Sequence, residues 1–226
     1  MSESATRDKK EQILELLFQQ RILPLFYNDD SDVSILVLKA LYNAGVRTIE
    51  YTNRGEAALQ NFKVLRRVCD EELKDVQLGI GTIKTGDEAK AFVDAGADYL
   101  ISPGVVKAAA KVANKNGLLY IPGCTTPTDM IRAEGFGSTL VKIFPGDLLG
   151  PSYLTSVRPL FPKLKFIITG GVEPEEGNLQ SWFSAGASAV GMGSKLITKQ
   201  ILQERDYAKI TTLTQQAFQL VQSIRQ

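Results

Sequence analysis

Short apolar runs alternate with amphipathic segments along nearly the whole chain, and this alternation constrains the fold more than any other feature. Each run has five or six residues, and most runs end at glycine, proline or threonine. Buried parallel strands are typically short and apolar in this way. The predicted strands are residues 22–27, 48–52, 77–82, 99–103, 119–123, 140–145, 165–170 and 189–194.

Eight strands separated by helices form either a closed barrel or an open doubly wound sheet. A regular repeat of about 20–30 residues and a total length of 226 residues favour the barrel. Glycines precede the strands in AGVRTIE, AGADYLISPG and AGASAVGMG, as is typical of helix ends. We therefore predict an α/β fold: a single-domain (β/α)8 TIM barrel over residues 1–226. An extra leader helix lies within residues 1–20, and the tail after Asp206 is helical.

The charge balance and cysteine content restrict the partners and the compartment. Lysine and arginine number 26 against 25 aspartates and glutamates, whereas a nucleic-acid surface needs a basic excess. Two cysteines are too few for a disulfide framework and fit a reducing compartment. The polar N-terminus lacks the apolar core of a signal peptide, and no apolar run approaches the ~20 residues of a membrane span. We expect a cytoplasmic protein with no nucleic-acid or membrane partner.

The chain contains no histidine, which limits its possible chemistry. Ser-His-Asp and Cys-His sites are excluded because their base is missing. Catalytic zinc usually takes histidine ligands, so we expect neither a metal nor a cofactor. Cys124 has no histidine to activate it, and we interpret it as a buried thiol. Carboxylates, lysine, tyrosine or water must therefore provide any acid–base catalysis.

Lys142 lies inside the apolar run LVKIFP of the predicted sixth strand. Both faces of a barrel strand are costly places for an ammonium group. Lys142 is therefore either half of a buried structural ion pair or an amine whose pKa is lowered by burial and a nearby cation. In the second case it is a nucleophile toward carbonyl groups. The sequence leaves both interpretations open.

Glu50 and Arg54 stand at the end of the predicted second strand, where barrel enzymes carry functional residues. Glu50 is either an ion-pair partner of Lys142 or Arg54, or a proton shuttle for chemistry at Lys142. Arg54 is either a surface arginine or a bidentate ligand for a substrate carboxylate.

Two small-residue pairs follow the predicted seventh and eighth strands: Gly170-Gly171 and Gly193-Ser194. Loops at these positions commonly bind phosphate in barrels, and glycine lets the backbone amides approach an anion closely. Each pair alone is a weak signal. Two pairs in the expected loops predict a phosphate site.

Seven motifs in order make the chain resemble one family. They are 45–54 (GVRTIEYTNR), 79–82 (GIGT), 101–104 (ISPG), 121–123 (IPG), 137–145 (ending VKIFP), 169–171 (TGG) and 193–194 (GS). The chain resembles the 2-keto-3-deoxy-6-phosphogluconate (KDPG) / 4-hydroxy-2-oxoglutarate (KHG) aldolases, which are small Schiff-base aldolases of (β/α)8 fold. The resemblance runs from about Ile22 to Leu196.

The resemblance implies a class I (Schiff-base) aldolase that cleaves KDPG or a related 2-oxo acid to pyruvate and an aldehyde, either glyceraldehyde 3-phosphate or glyoxylate. It also implies a homotrimer. The implied catalytic residues are Lys142 and Glu50, and the implied substrate-binding residues are Arg54, Thr82, Pro103, Phe144, Gly170, Gly171, Gly193 and Ser194. The resemblance does not choose among gluconate-, galactonate- and glutarate-derived substrates.

Three departures from the family pattern affect the substrate. Tyr51 and Asn53 replace aliphatic or aromatic residues and are candidates for recognising substrate hydroxyls. Glu173 replaces a small polar residue and predicts a weaker phosphate site unless its carboxylate points away. Two other functions compete with an aldolase: a sugar-phosphate isomerase or epimerase with Glu50 as base, and a barrel that only binds a phosphorylated metabolite.

Overall fold

Parallel strands form a ring in the computed structural model, which describes residues 3–224, with side chains from Lys9 onward. Hydrogen-bonded neighbours run in the order β5-β4-β3-β2-β1-β9-β8-β7-β6. The strands are β1 (Ile22–Phe26), β2 (Thr48–Thr52), β3 (Gln77–Gly81), β4 (Tyr99–Ile101), β5 (Leu119–Ile121), β6 (Gly123–Cys124), β7 (Leu140–Ile143), β8 (Lys165–Thr169) and β9 (Ala189–Met192).

The nine segments are eight strands, because β5 and β6 are two parts of the predicted fifth strand, interrupted at Pro122. β5 pairs with β4, and β6 pairs with β7. The carbonyl of Pro122 accepts a hydrogen bond from the Lys142 amide at 2.8 Å. This shared strand closes the ring, so the predicted (β/α)8 barrel is confirmed. The predicted sixth, seventh and eighth strands are therefore β7, β8 and β9.

Helices follow the strands and cover the outside of the barrel, as predicted. They are α1 (Glu3–Gln20), α2 (Ser31–Asn43), α3 (Ala58–Glu72), α4 (Gly86–Asp94), α5 (Lys107–Lys115), α6 (Pro127–Gly135), α7 (Gly146–Val157), α8 (Glu176–Ala185), α9 (Lys199–Glu204) and α10 (Tyr207–Ser223), with a 3-10 turn at Arg158–Leu160. The leader helix and the helical tail are both present. No helix within residues 3–224 is long and apolar enough to cross a membrane.

The buried apolar side chains of the strands fall into two separate clusters. The larger cluster lies between the strands and the helices, and it includes Val141 and Ile143 of β7. The smaller cluster fills the barrel interior and includes Leu140. Since successive strand side chains point to opposite faces, Lys142 shares the interior face with Leu140.

The leader helix α1 closes the N-terminal end of the barrel. Ile13 and Leu17 are at most 2% exposed and belong to the interior cluster. At the end of α1, the Gln20 side chain donates to the carbonyls of Ile22 and Thr48 and accepts from the Arg47 and Thr48 amides. Substrate access is thereby left to the C-terminal end.

Asp98 connects three elements at the N-terminal side of the barrel, and we expect its loss to destabilise the fold. Its carboxylate accepts from the Leu78 amide and from Arg66, each at 2.7 Å, and pairs with Lys9 at 3.0 Å. Asp98→Ala leaves a half-buried arginine and a buried amide without this partner. Unfolding in urea should show that the free energy of unfolding falls by about 2–4 kcal/mol.

Asp70→Ala is the matched control for that change. Asp70 also pairs with Arg66, but its side chain is 64% exposed, and exposed pairs contribute at most about 1 kcal/mol. Equal destabilisation by the two variants would contradict a structural role specific to Asp98.

Candidate active site

Lys142 and Glu50 face each other across the barrel axis. Lys142 is on β7, the sixth strand of the ring, and Glu50 is on β2, the second, so three strands separate them on either side. Both side chains point inward, and they are 6% and 2% exposed, respectively. The two predicted catalytic residues are thus brought into one buried space, above the apolar interior cluster.

Glycines on β3 provide the room for this arrangement. A β-carbon on Gly81 would overlap Glu50 Oε1 and would lie 2.5 Å from its Cδ. A β-carbon on Gly79 would overlap the ring of Tyr99, whose hydroxyl donates to the Ile49 carbonyl at 2.8 Å. The absence of side chains at these two positions therefore lets one carboxyl group and one ring occupy the barrel interior.

Neither member of this pair is neutralised by a direct contact with a described residue. Lys142 Nζ makes no salt bridge or hydrogen bond within the described part of the chain. Glu50 Oε2 is fully buried and has no hydrogen-bond partner among residues 3–224. The structural ion-pair interpretation is therefore not supported, although the two groups still interact electrostatically.

Burial favours the uncharged forms of both groups. Burial lowers the pKa of the Lys142 ammonium. The charge of Glu50 raises this pKa, and the charge of Arg54 lowers it further. Burial raises the pKa of the Glu50 carboxyl group, and the charges of Lys142 and Arg54 lower this pKa. A neutral amine is the nucleophilic form of lysine, and a carboxyl group with a raised pKa suits proton transfer near neutral pH.

Phe144 forms one wall beside the amine. Lys142 Nζ lies 5.1 Å from the centroid of the Phe144 ring, in cation–π geometry. Phe144 also contributes to a cleft at the C-terminal end of the barrel. The same ring therefore borders both the buried amine and the cleft.

This cleft has a volume of about 420 Å³ and contains six of the predicted binding residues. They are Arg54, Phe144, Gly170, Gly171, Gly193 and Ser194. Gly170 and Gly171 have φ values of +96° and +67°, a backbone region that favours glycine. A second cavity of about 470 Å³ lies beneath α1 at the opposite end, and it is lined by none of the predicted site residues.

Thr82 and Pro103 lie on a different part of the rim and do not line the cleft. Thr82 follows β3 with φ +62°, which is unusual for a β-branched residue and often marks a functional position. Pro103 follows β4, and its carbonyl lies so close to Gly123 that a β-carbon there would overlap it. Gly123 is in register with Lys142, so Pro103 borders the lysine strand.

The expectation that Tyr51 contacts substrate hydroxyls is wrong. Its side chain is fully buried in the outer cluster between strands and helices, and its hydroxyl donates to the Asn28 carbonyl at 2.9 Å. Asn61 Nδ2 donates to the same carbonyl at 3.1 Å. Tyr51 therefore holds the loop after β1. Asn53 does not line the cleft.

The buried-thiol interpretation of Cys124 is supported. Cys124 is 1% exposed, and burial raises the pKa of its thiol to about 12. A thiol with so high a pKa is an inert group at neutral pH.

Glu173 pairs with Lys195 at 2.7 Å and does not line the cleft. The repulsion expected from its carboxylate is therefore offset by a cation. Among the cleft-lining residues that sequence reasoning missed, three carry polar groups: Lys195, Lys199 and Tyr27. The lysines directly follow the predicted phosphate motif in GSKLITK, so a search for cations beyond that motif would have found them.

Known proteins match this chain over almost its whole length. The family model "KDPG and KHG aldolase" matches residues 13–213. A 2-dehydro-3-deoxy-phosphogluconate aldolase of Treponema pallidum is 30% identical and covers 92% of this chain and 97% of its own. A probable 2-dehydro-3-deoxy-6-phosphogalactonate aldolase of Rhizobium meliloti is 33% identical over 53% of this chain and 56% of its own.

A solved structure has the same fold. The KDPG aldolase of Legionella pneumophila, with pyruvate captured as a covalent carbinolamine, superposes with a TM-score of 0.82. It covers 90% of this chain and 97% of its own at 23% identity. At that identity the likeness shows the fold alone.

Fold, site and relatives together define the class of protein as an aldolase, which is a lyase. The chain belongs to the KDPG and KHG aldolase family.

Proposed function

We propose that this protein cleaves a 2-oxo acid through a Schiff base on Lys142 and releases pyruvate. One observation carries the proposal: a lysine buried inside the barrel faces a buried glutamate without a direct salt bridge. A purely structural lysine would be expected to pair with that carboxylate. An amine held near neutrality is instead suited to attack a carbonyl carbon.

In the first half of the reaction, the Lys142 amine adds to the 2-oxo carbon to form a carbinolamine. Loss of water then gives an iminium ion. The iminium is an electron sink, so the C3–C4 bond breaks and its electron pair forms an enamine. Glu50, through water, takes the proton of the C4 hydroxyl as the aldehyde forms.

In the second half, the proton returns to C3 of the enamine and restores the iminium. Water hydrolyses the iminium, releasing pyruvate and the free amine. Arg54 and Thr82 would bind the pyruvate carboxylate, and Pro103 would border the imine. Phe144 would exclude water beside it.

The distal part of the substrate would extend toward Gly170, Gly171, Gly193 and Ser194. Candidate substrates are KDPG, its galactonate analogue and 4-hydroxy-2-oxoglutarate, which match the names of related proteins. The aldehyde product is then glyceraldehyde 3-phosphate or glyoxylate. The family resemblance also supports a homotrimer that acts in the cytoplasm.

Trapping with borohydride tests the Schiff base directly. Incubation with pyruvate and sodium borohydride should add one reduced pyruvate to the intact mass, and peptide mapping should assign it to Lys142. Lys142→Arg is the matched control, because it keeps a cation but lacks a nucleophilic amine at neutral pH. An unmodified wild-type protein, or an adduct retained by Lys142→Arg, would exclude this mechanism and favour an isomerase or a binding protein.

A further inference from the structure

A cavity of about 470 Å³ lies beneath α1, at the opposite end of the barrel from the candidate active site. Its walls, which define what we call the α1 cavity, come from α1 and from residues 114–120, 136–139 and 163–165. This volume is within the range of about 300–1,000 Å³ that is typical of small-molecule sites. No residue of the candidate active site lines it, so a ligand bound here would be distinct from the substrate.

The α1 cavity has an apolar floor. Leu14 and Phe18 of α1, Leu118 before β5 and Phe136 after α6 line it, and all four are only half-buried. Leu119, which is 4% exposed, also lines the cavity and belongs to the interior cluster, so the floor continues into the barrel core. Large apolar side chains that share an open concave surface indicate a binding site for an apolar group.

Cationic side chains add a positive rim to this floor. Lys10 of α1, Lys163 before β8 and Lys165 at the start of β8 line the cavity. None of the three forms a salt bridge within the described part of the chain. Glu11 is the one carboxylate among the described lining residues. The rim therefore has an excess of positive charge, although the formal net charge of the chain is only +1, and it favours an anionic group.

Ser138 contributes a hydroxyl group to the wall of the α1 cavity. The residue is 7% exposed, and its hydroxyl is shielded from solvent and has no hydrogen-bond partner among residues 3–224. A buried donor without an acceptor costs free energy. Rotation about the Cα–Cβ bond would turn this hydroxyl toward a ligand oxygen in the cavity, so an oxyanion is a suitable partner.

We propose that the α1 cavity is a second ligand site, which binds a small amphipathic carboxylate with its apolar tail on the floor and its carboxylate at the lysine rim. A carboxylate without a tail would leave the apolar floor in contact with water. A cationic head group would be repelled by Lys163 and Lys165. Binding at this site does not require the proposed aldolase function, because the cavity and the active-site cleft share no residue.

Calorimetric titration with octanoate as the probe tests this site. We expect one octanoate to bind per chain. Acetate, which lacks the tail, and octylamine, which has the same tail and a cationic head, should both bind more weakly. Amide hydrogen exchange measured by mass spectrometry should slow in residues 114–120 and 136–139 when octanoate binds, and should not change in residues 169–172 of the active-site cleft.

Lys163→Met/Lys165→Met removes two charges from the rim and keeps side chains of similar length. We expect the dissociation constant for octanoate to rise about threefold to tenfold, because attraction between exposed charges is weakened by solvent. Lys63→Met/Lys209→Met is the matched control, since it removes two charges from exposed lysines that do not line the cavity. Its affinity for octanoate should equal that of the wild type.

Three results would overturn the proposal. The first is the absence of octanoate binding to the wild-type protein. The second is equal affinity for octanoate and octylamine, or an unchanged affinity in Lys163→Met/Lys165→Met, because the rim would then select no charge. The third is a lower oligomeric mass of folded Leu14→Gln in sedimentation, because the apolar floor would then be an interface between copies of the chain.

Discussion

Glu50→Gln is expected to lower kcat for aldol cleavage by roughly 10²–10⁴-fold, the range for loss of a general acid–base group. The substitution keeps the shape of the side chain but removes its ability to take a proton. Lys142 remains in place, so pyruvate should still be trapped by borohydride. Steady-state cleavage assays and intact mass on the same preparation would separate proton transfer from imine formation.

The pH dependence of trapping gives a second measurement on the same variant. The neutral amine is the reactive form, so the trapping rate rises as pH rises through the pKa of Lys142. Burial lowers this pKa, and Glu50 opposes the shift. Removing the Glu50 charge should therefore move the midpoint of the profile to lower pH.

Glu56→Gln is the control for this experiment, because Glu56 is exposed and lies in the loop after Arg54. It should leave kcat and the pH midpoint at their wild-type values. Full activity of Glu50→Gln, or a midpoint shifted to higher pH, would contradict the role proposed for Glu50.

Gly81→Ala is expected to disable the site through a single methyl group. The new β-carbon would overlap Glu50 Oε1 and lie 2.9 Å from its Cγ. Atoms cannot approach this closely, so the carboxyl group of Glu50 must move. We expect kcat to fall as far as in Glu50→Gln, roughly 10²-fold or more, and stability to fall by about 1–3 kcal/mol from overpacking.

Gly177→Ala is the matched control, since a β-carbon there would meet nothing within 4 Å. Gly177 lies in α8, where alanine should stabilise the helix by up to about 1 kcal/mol. The double variant Gly81→Ala/Glu50→Asp shortens the displaced side chain, and it should recover stability without recovering activity. Unfolding curves and cleavage assays would measure both effects. Wild-type kcat in Gly81→Ala would show that the position of Glu50 is unimportant.

The sequence alone determined the order of the elements, the barrel and the chemical groups available to the site. Periodic apolar runs and glycine-terminated helices indicated eight strands, and the observed strands agree within three residues at each end. The absence of histidine excluded several mechanisms at once. Lys142 was identifiable as a candidate functional residue because burying an ammonium group inside an apolar strand is costly.

Only the tertiary structure decided which side chains face the barrel interior. Strands that are buried on both faces do not show an alternating pattern, so the sequence does not reveal which residues point inward. Tyr51 was therefore a candidate for recognising substrate hydroxyls, although it points outward to the loop after β1. The neighbouring residue Glu50 points inward.

The tertiary structure also decided how distant residues meet. Glu50 and Lys142 are opposed because the barrel closes through the strand interrupted at Pro122, a relation with no local signal in the sequence. The same closure gathers β8, β9 and β1 around one end of the cleft. There the carboxylate of Glu173 meets Lys195, because pairing depends on positions in space rather than on spacing along the chain.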